Sequence, residues 1–508
     1  MRAEELFGGC RVSGYDKDAE ISAVCSDSRR VPDGGLFICL PGAHRDGHDY
    51  AADALTNGAA YVLAERKIPG VPDDKLIVTD STRRAEAIIW NNFTKRPADG
   101  MKKIAVTGTA GKTTVCFILA HILRAAGYRV GIISTVKTMS GDRVLNLGEH
   151  GGSSVSDICG AMTTPDPEYF FTACAEMKKD GCEVLIAEAS SQALALGKLC
   201  PLTFDAAVFT NLSAEHLDCH GTIEEYFAAK AGLMKQTRTA VINSDDGYMK
   251  RLGDMFPDVK TVTCSADPAM AAFSDVCALR YKSLGQDGIE YVYFSERAVF
   301  RVRAPLMGHY SVMNTMEAAA CAVSLGVSLM TVKEALEDFP GADGRMTRVE
   351  TDAGCPEVFI DYAHTAKSLE CALDALREAY PEKKLAVLFG CGGDRDRTKR
   401  SEMARTAQRT ADYAIITCDN CRGEDPDRII GDILTGMDEK KPYTVIKDRR
   451  EAVRYAVFAF DEEWVLLLAG KGHEKYEITC SEMIGFDEAA IVRDAAAEKI
   501  RTEKHYQD

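Results

Sequence analysis

Short apolar runs alternate with helix-period segments along the middle of the chain. Four runs, at residues 104–106, 130–133, 184–187 and 206–209, are typical of buried strands, and a helical pattern covers residues 223–234. Buried strands that alternate with helices form parallel sheets with helices on their faces. The pattern therefore predicts an α/β domain with a central parallel sheet.

The first hundred residues have a shorter version of the same pattern. Strand-like runs lie at residues 35–40 and 60–64, and a helical pattern lies at residues 50–57. Together these runs predict a small α/β domain at the start of the chain.

The second half of the chain changes pattern twice. Residues 276–306 alternate apolar and polar positions with a period of two, so we expect antiparallel strands appended to the central domain. After residue 342 the strand and helix patterns alternate again, with apolar runs such as 385–389 and 465–468. This last part predicts a Rossmann-like domain.

Length and composition restrict the fold and the partners. At 508 residues the chain is too long for one core, and we expect three domains, at residues 1–100, 101–342 and 343–508. The net charge of −16 argues against a nucleic-acid partner, which requires a basic surface. No apolar run approaches the ~20 residues that span a bilayer, so we expect no membrane insertion and a cytoplasmic protein. The 18 cysteines are scattered among apolar residues and are expected to be reduced thiols.

A glycine-rich turn follows the apolar run at 104–106. Its pattern is G-x-x-G-K-T, which is shorter than the common G-x-x-x-x-G-K-[ST] phosphate loop, and its residues are Gly108, Thr109, Ala110, Gly111, Lys112, Thr113 and Thr114. Glycines let backbone N–H groups close around phosphate oxygens, the lysine contacts the terminal phosphates, and the Thr113 hydroxyl can reach Mg²⁺. The turn therefore predicts a nucleotide site and makes the central domain a P-loop ATPase domain.

Polar side chains follow two further strands of the predicted sheet. Glu188 comes directly after the run at 184–187, and a segment that contains His216 follows the run at 206–209. The carboxyl ends of parallel strands meet at one edge of a sheet, where ligands bind. A carboxylate and an imidazole at the same edge as a phosphate loop predict a Mg²⁺ site.

A larger set of motifs resembles one family. Besides the glycine-rich turn, the motifs are Ser26-Asp27-Ser28-Arg29, Asp46-Gly47-His48, Thr163-Thr164-Pro165, Glu188-Ala189-Ser190, Asp361-Tyr362-Ala363-His364, Asp419-Asn420-Cys421-Arg422 and Gly470-Lys471-Gly472-His473-Glu474. With these motifs the chain resembles the Mur ligase family, ATP-dependent ligases of peptidoglycan precursor synthesis. The resemblance spans nearly the whole chain and is closest to the members that add the third amino acid.

The resemblance implies ATP-dependent amide-bond formation with Mg²⁺ as a cofactor. The catalytic residues would be Lys112, Lys230, His216 and Glu188, and the metal contacts would be Thr113, Glu188, His216 and Lys230. Lys230 would be carbamoylated, which turns its amine into a carboxylate-like ligand; from the sequence alone it is only a lysine on a helix. The ATP contacts would be Gly108, Thr109, Ala110, Gly111, Lys112, Thr113, Thr114, Asn314, Arg345 and Asp361.

The resemblance also implies two small-molecule substrates, one for the first two domains and one for the third. The UDP-muramoyl-dipeptide would contact Ser26, Ser28, Ala43, His44, Arg45, Thr163, Thr164, Ser190 and Lys198. The incoming amino acid would contact Arg395, Asp419, Asn420, Arg422, Gly470 and Glu474. Arginine pairs with a carboxylate through two parallel hydrogen bonds, so meso-diaminopimelate, with its distal carboxylate, is the expected third amino acid.

Five positions depart from the family's usual residues, among them Ala110 in place of an asparagine in the glycine-rich turn, Gln192 in place of a histidine and Ala366 in place of a proline. Lys198 replaces an arginine, which keeps the charge but loses the bidentate fork, and Cys421 replaces a proline beside Arg422. The departures therefore leave the choice of substrate less determined than the type of reaction.

Three alternatives stay open on the sequence. In the first, the protein adds L-lysine instead of meso-diaminopimelate. In the second, it is a folylpolyglutamate-synthase-like ligase with the same central fold. In the third, it is an ATP-binding regulatory protein without turnover. The first domain and the motif at 419–422 disfavour the second alternative. The intact set of catalytic residues disfavours the third. In each case we expect a monomer that acts on small molecules.

Overall fold

The structure, a computed structural model, describes residues 1–42, 45–147, 162–215, 217–479 and 482–507. The chain divides into two units. Unit 1 contains Met1–Thr109, Gly127–Ala240 and Arg251–Thr261, and unit 2 contains Ala110–Ala126, Val241–Lys250 and Val262–Asp508. The glycine-rich turn therefore contributes residues to both units.

Helices and strands alternate along most of the chain, as the apolar pattern predicts. The helices are α1 (Ala3–Leu6), α2 (Ala51–Thr56), α3 (Thr82–Phe93), α4 (Lys112–Ala125), α5 (Pro167–Lys179), α6 (Ser191–Ala195), α7 (Leu217–His220), α8 (Ile223–Ala231), α9 (Arg251–Met255), α10 (Tyr310–Ser324), α11 (Leu329–Glu337), α12 (Ala366–Ala379), α13 (Thr398–Thr410), α14 (Pro426–Leu434), α15 (Arg449–Ala459) and α16 (Glu488–Gln507). The strands are β1 (Val12–Ser13), β2 (Val24–Cys25), β3 (Gly35–Ile38), β4 (Ala59–Ala64), β5 (Leu76–Thr79), β6 (Lys102–Thr107), β7 (Val130–Ile133), β8 (Thr138–Ser140), β9 (Arg143–Val144), β10 (Val184–Glu188), β11 (Phe204–Phe209), β12 (Thr237–Asn243), β13 (Lys260–Ser265), β14 (Val276–Ser283), β15 (Ile289–Ser295), β16 (Ala298–Ala304), β17 (Thr347–Val349), β18 (Glu357–Asp361), β19 (Lys384–Phe389), β20 (Tyr413–Ile416), β21 (Tyr443–Val445), β22 (Trp464–Ala469), β23 (Tyr476–Ile478) and β24 (Met483–Gly485).

Unit 1 contains strands of two sheets. The first sheet has the order β1-β5-β4-β3-β2 and is parallel except for β1, which pairs antiparallel with β5. The second includes the order β11-β6-β10-β7-β8-β9, with parallel pairs from β11 to β7 and antiparallel pairs beyond β7. The apolar residues of β6, β7 and β10 are buried, which is why these strands have continuous apolar sequences. The predicted N-terminal α/β fold and central parallel sheet are confirmed.

Unit 2 contains antiparallel strands and a further sheet. Strands β14, β15 and β16 pair antiparallel, which confirms the prediction for residues 276–306. The further sheet has the order β17-β18-β22-β19-β20-β21 and is parallel except for β17. Successive residues of a strand point to opposite faces of this sheet. Leu466 and Leu467 in β22 accordingly belong to two different apolar clusters, so helices cover both faces. This arrangement confirms the predicted Rossmann-like fold.

The predicted fold class, α/β with three domains, agrees with these separate sheets, while the boundaries at residues 100 and 342 stay predictions. The helix predicted at 223–234 ends at Ala231 and continues as a 3₁₀-helix over Gly232–Gln236. Every cysteine in the described part of the chain is a free thiol, as expected. No helix within the described ranges is long and apolar enough to span a bilayer.

Helix α10, which packs against α4 in unit 2, carries a buried carboxyl group. Glu317 has 0% of its surface exposed, and neither of its side-chain oxygens has a hydrogen-bond partner among the described residues. Burial, followed by the carboxylates of Asp246 and Asp245, raises the pKa of Glu317 well above its ordinary value. We infer that Glu317 is protonated in the folded protein.

Replacing this carboxyl by an amide should remove a pH dependence of stability. In the unfolded chain Glu317 titrates near pH ~4.3, so above that pH unfolding releases a proton that the folded state retains. The contribution of Glu317 to stability is full below its unfolded pKa and is lost as the pH rises toward its folded pKa. As the pH rises above the unfolded pKa, the wild type should lose free energy of unfolding relative to Glu317→Gln, by at most about 1.4 kcal/mol per pH unit.

Denaturant unfolding of both proteins at several pH values measures this difference. The matched control is Glu334→Gln, at an exposed position of α11, which should track the wild type at every pH. A constant difference between the wild type and Glu317→Gln over this pH range would contradict the buried, protonated carboxyl.

Candidate functional site

The glycine-rich turn between β6 and α4 has a backbone that favours glycine. Gly108 has a φ of 149°, and a Cβ placed on it would overlap the hydroxyl oxygen of Thr210, just after β11. Gly111 has a φ of 85° and precedes Lys112, the first residue of α4. The first N–H groups of a helix have no intrahelical partner and attract anions. The turn therefore has the backbone donors that a phosphate group requires.

Lys230, on α8, lies against the start of this turn. Only 1% of its surface is exposed, and its ammonium group donates a 2.8 Å hydrogen bond to the carbonyl oxygen of Gly108. The same nitrogen lies 4.5 Å from the centre of the Tyr226 ring. The Tyr226 hydroxyl is 3.1 Å from that of Thr109, which accepts a hydrogen bond from the N–H of Ser213. Unit 1 thus brings the predicted residues Lys230, Gly108 and Thr109 together.

Glu188 is the last residue of β10 and is fully buried. Its carboxylate accepts hydrogen bonds from the N–H of Thr135 at 3.1 Å and from the Thr135 hydroxyl at 2.9 Å. The Thr135 hydroxyl also lies 3.0 Å from that of Thr163. Thr164 donates to the Glu188 carbonyl oxygen at 2.7 Å and accepts from the N–H of Ser190 at 2.9 Å. These predicted metal and substrate contacts therefore lie together at the carboxyl end of β10.

Lys198, which follows α6, lies among acidic side chains. Its ammonium nitrogen is 2.7 Å from the Asp166 carboxylate, and only 11% of the Lys198 side chain is exposed. Burial raises the pKa of Glu86, on α3, to about 8; Asp166 adds to this increase, whereas Arg83 and Lys198 oppose it. Lys198 therefore supplies a cation at the position where the sequence predicts a contact to an anionic substrate.

The predicted contacts to the UDP-sugar in the first domain lie on loops that follow short strands. Ser26 is exposed and Ser28 is half-buried, and both follow β2 directly. Arg45 is exposed and lies in the connection after β3. Ala43 and His44 lie outside the described residues. Ser26 and Arg45 are therefore open to solvent. No contact among the described residues of this set indicates which ligand they bind.

In unit 2 the first turn of α4 contains residues 112–114 of the glycine-rich turn. The hydroxyl of Thr113 accepts a 3.1 Å hydrogen bond from the guanidinium group of Arg345. The guanidinium carbon of Arg345 lies 4.6 Å from the centre of the Tyr362 ring. Asn314 is buried on α10, the helix that packs against α4. The phosphate-loop hydroxyl and the predicted ATP contact Arg345 are therefore neighbours.

Asp361, the last residue of β18, orders the turn that carries Arg345. Its carboxylate accepts 2.8 Å hydrogen bonds from the N–H groups of Met346 and Ala363. Met346 has a φ of 47°, a left-handed conformation that such hydrogen bonds help to hold. Burial raises the pKa of Asp361, and Arg345 with the two N–H groups opposes the increase. Asp361 thus connects the end of β18 to the Arg345 turn.

The residues predicted to hold the amino acid follow two strands of the C-terminal sheet, β20 and β22, which flank β19. Asp419 and Asn420 come after β20, and Gly470 and Glu474 come after β22. The Asn420 amide donates a 2.8 Å hydrogen bond to the Glu474 carboxylate. A Cβ placed on Gly470 would lie 3.0 Å from a carboxylate oxygen of Asp419. Burial and then Asp419 raise the pKa of Glu474, whereas Lys471 opposes the increase. The structure brings these four predicted residues together.

The two predicted arginines approach the same glycine. A Cβ on Gly392 would lie 2.8 Å from a terminal nitrogen of Arg422 and 3.9 Å from Cγ of Arg395. Arg422 donates to the carbonyl oxygens of Gly393 at 3.0 Å and of Asn420 at 3.3 Å. Arg395 is exposed. The Arg422 guanidinium group therefore lies beside Asn420, and the stem of Arg395 lies near the same glycine.

His216 lies outside the described residues, so its predicted metal contact stays a prediction. Three further residues belong to the site and were not among the predicted site residues: Thr135, Tyr226 and Lys471. Thr135 closely follows β7, so the strand-end rule that identified Glu188 would also have found it. Lys471 lies within the motif at 470–474, but its contact with Asn420, like that of Tyr226 with Thr109, joins segments that are distant in sequence, and no local pattern indicates such a contact.

A parallel sheet with a glycine–lysine–threonine turn at a helix start, combined with a separate Rossmann-like sheet, defines a P-loop nucleotide-binding protein of the α/β class. Three domain models of one family together match most of the chain. They are the Mur ligase family catalytic domain at residues 20–89, the Mur ligase middle domain at 106–322, and the Mur ligase glutamate ligase domain at 344–472.

Curated relatives agree with these domain matches. The UDP-N-acetylmuramoyl-L-alanyl-D-glutamate--2,6-diaminopimelate ligase of Synechococcus elongatus is 38% identical over 493 residues, which cover 95% of each chain. The ligase of the same name from Geobacillus kaustophilus is 38% identical over 490 residues, 94% of this chain and 96% of the relative. A solved structure of a ligase of this name has 30% identity, a TM-score of 0.65 and 96% coverage of both chains. The chain belongs to the Mur ligase family.

Proposed function

We propose that this protein is an ATP-dependent ligase that joins meso-diaminopimelate to UDP-N-acetylmuramoyl-L-alanyl-D-glutamate in peptidoglycan precursor synthesis. The observation that carries the proposal is similarity to enzymes of that name over 94–95% of this chain. The cluster of Asn420, Glu474 and Arg422 in the C-terminal domain, with Arg395 near it, supports the choice of amino acid. Use of ATP and of a nucleotide-linked precursor is consistent with action in the cytoplasm.

The proposed reaction has two covalent steps. The D-glutamate carboxylate attacks the γ-phosphorus of ATP, the bond to the bridging oxygen of ADP breaks, and an acyl phosphate forms. The amine of the amino acid then attacks the acyl carbon, inorganic phosphate leaves, and the amine loses a proton to form the amide. Most of the protein's contribution is positioning and charge neutralisation, as in other phosphoryl transfers.

Individual residues have distinct roles in this proposal. Lys112 and the N–H groups of the glycine-rich turn neutralise the terminal phosphates of ATP. Arg345, hydrogen-bonded to Thr113, supplies a second cation to the nucleotide. Asn314 and Asp361 orient the adenosine. Lys198, together with the Thr163, Thr164 and Ser190 cluster, holds the UDP-muramoyl-dipeptide, whose remaining contacts are Ser26, Ser28, Ala43, His44 and Arg45.

We also propose that Mg²⁺ is held by Thr113, Glu188, His216 and a carbamoylated Lys230. Hydroxyl, carboxylate and imidazole groups fit a divalent cation, but an ammonium group repels it. A neutral Lys230 amine that attacks CO₂ gains an N–C bond and releases a proton, which yields an anionic oxygen ligand. The bound ions would neutralise charge on the transferring phosphoryl group. The buried position of Lys230 against the carbonyl of Gly108 supports this assignment.

Lys230→Ala should be nearly inactive because the proposed carbamate oxygens are absent. A small carboxylic acid that occupies the vacated space should restore part of the ATP-dependent ligation. The measurement is ADP release with and without the added acid. Lys235→Ala, at an exposed position shortly after α8, is the matched control and should be fully active without rescue. Full activity of Lys230→Ala would refute the metal-ligand role.

The choice of amino acid depends on the two predicted arginines, Arg422 and Arg395. Meso-diaminopimelate has a distal carboxylate that guanidinium groups can pair with, and L-lysine has none. Binding of L-lysine would leave these cations without their anionic partner. A hydrogen bond of this charged kind contributes about 1.5–3 kcal/mol, which corresponds to a preference on the order of ten- to a hundredfold.

ADP release measured with the UDP-dipeptide and each amino acid at equal concentration tests this choice. The wild type should prefer meso-diaminopimelate, and Arg422→Ala should raise the KM for meso-diaminopimelate far more than that for ATP. Arg428→Ala, exposed on α14, is the matched control and should leave both values unchanged. Preference of the wild type for L-lysine would refute the choice, and no amino-acid-dependent ADP release at all would favour the regulatory alternative.

A further inference from the structure

A chain of buried charges connects α16, the last helix of unit 2, to Asn420 and Glu474, two of the residues proposed to bind the amino acid. We call these two residues the amino-acid cluster. Glu488, the first residue of α16, accepts a 2.9 Å hydrogen bond from Nε of Arg449, the first residue of α15. Both residues are buried, with 3% and 1% of their surfaces exposed. Arg449 also donates to the carbonyl oxygen of Ala469 at 2.9 Å. The network therefore joins α16, α15 and the end of β22, and it continues toward Asp419.

Lys471 occupies the other side of Asp419 and is completely buried. Its ammonium group donates to Oδ1 of Asn420 at 2.6 Å and to the carbonyl oxygen of Tyr476 at 3.0 Å, and it lies 3.2 Å from the Asp419 carboxylate. Two of its three N–H donors are therefore used by Asn420 and Tyr476, and its charge also lies 3.8 Å from the Glu474 carboxylate. Because none of its surface is exposed, Lys471 is not open to direct contact with a bound substrate.

These contacts fix the orientation of the Asn420 amide. Its oxygen faces the ammonium group of Lys471 and, at 2.9 Å, the backbone N–H of Ile478. Both neighbours are donors that cannot accept a hydrogen bond, so the amide oxygen, and not its nitrogen, must lie on that side. The amide nitrogen then donates to Glu474 at 2.8 Å and has a second N–H available. Lys471 therefore determines which way Asn420 presents its donors.

The charge of Asp419 is set by the same two cations. Burial by itself raises the pKa of Asp419, but Lys471 and Arg449 oppose this effect and lower the pKa to about 2. Asp419 is thus an anion between two buried cations, and its backbone neighbour Asn420 is held at a defined position. Removal of either cation would leave the buried carboxylate with only one compensating charge.

We propose that Lys471, supported by Arg449, is a positioning residue for amino-acid selection: it aims Asn420 and Glu474 at the incoming amino acid without contacting that amino acid itself. The inference rests on the proposed function, because it assigns a role within the same amino-acid site. A network that only stabilised the fold would alter unfolding without changing how the enzyme discriminates between its substrates.

Steady-state kinetics of Lys471→Met in the full-length protein tests this proposal. The variant should raise the KM for meso-diaminopimelate by about tenfold or more, because a charged hydrogen bond to Asn420 is lost and the amide can rotate. The KM values for ATP and for the UDP-dipeptide should stay within about twofold, since neither set of contacts includes Lys471. Lys475→Met, which removes an exposed lysine from the same loop, is the matched control and should match the wild type.

A second variant covers the case in which Lys471→Met fails to fold. Lys471→Arg retains the cation, but a planar guanidinium group cannot reproduce the three directions of the ammonium donors, so the KM for the amino acid should still rise selectively. An unchanged KM for the amino acid, or an equal rise of all three KM values, in whichever variant folds would overturn the positioning role. Lack of turnover by the wild type with any amino acid would instead refute the proposed function.

Discussion

The close approach of Gly108 to its neighbours is the constraint on which the site in unit 1 depends. Thr210 occupies the space that a side chain at position 108 would need. The carbonyl oxygen of Gly108 accepts a hydrogen bond from the ammonium group of Lys230. A buried ammonium group is unfavourable unless it is hydrogen-bonded, and here the carbonyl oxygen and the Tyr226 ring supply that compensation. One backbone position therefore determines both the shape of the turn and the place of its buried lysine.

In unit 2, buried charged groups likewise hold polar atoms in place, here next to the residues proposed to bind the amino acid. Arg449 and Lys471 compensate Asp419, and Lys471 in turn orients Asn420. A buried ion pair contributes little net stability compared with apolar packing, so we attribute the role of this network to the geometry that it imposes on Asn420. In each unit a lysine with at most 1% of its surface exposed donates a hydrogen bond to a neighbouring oxygen atom. In unit 1 this is the unmodified form of the lysine that we propose to be carbamoylated, whereas in unit 2 Lys471 acts as a buried cation.

The sheets could be predicted from the sequence because buried parallel strands, such as β7 and β22, have apolar residues on both faces. Glu188 and the glycine-rich turn could be predicted from their places at strand ends. Arg345 and Asn314 have no such local signal, and only the family resemblance indicated them. Lys471 was missed as a site residue because its role depends on contacts with Asn420 and Tyr476, which are made in the folded chain. Local patterns thus identify strand-end chemistry but not the buried residues that orient it.

Transfer of oxygen from the substrate carboxylate to phosphate tests the central claim most directly. The UDP-dipeptide would carry ¹⁸O in both oxygens of the glutamate carboxylate that becomes the amide, and the released phosphate would be analysed by mass spectrometry. If the reaction passes through an acyl phosphate, each phosphate formed with ATP and meso-diaminopimelate should contain one ¹⁸O atom, and the amide should retain the other. Unlabelled phosphate, released while amide forms, would contradict the account.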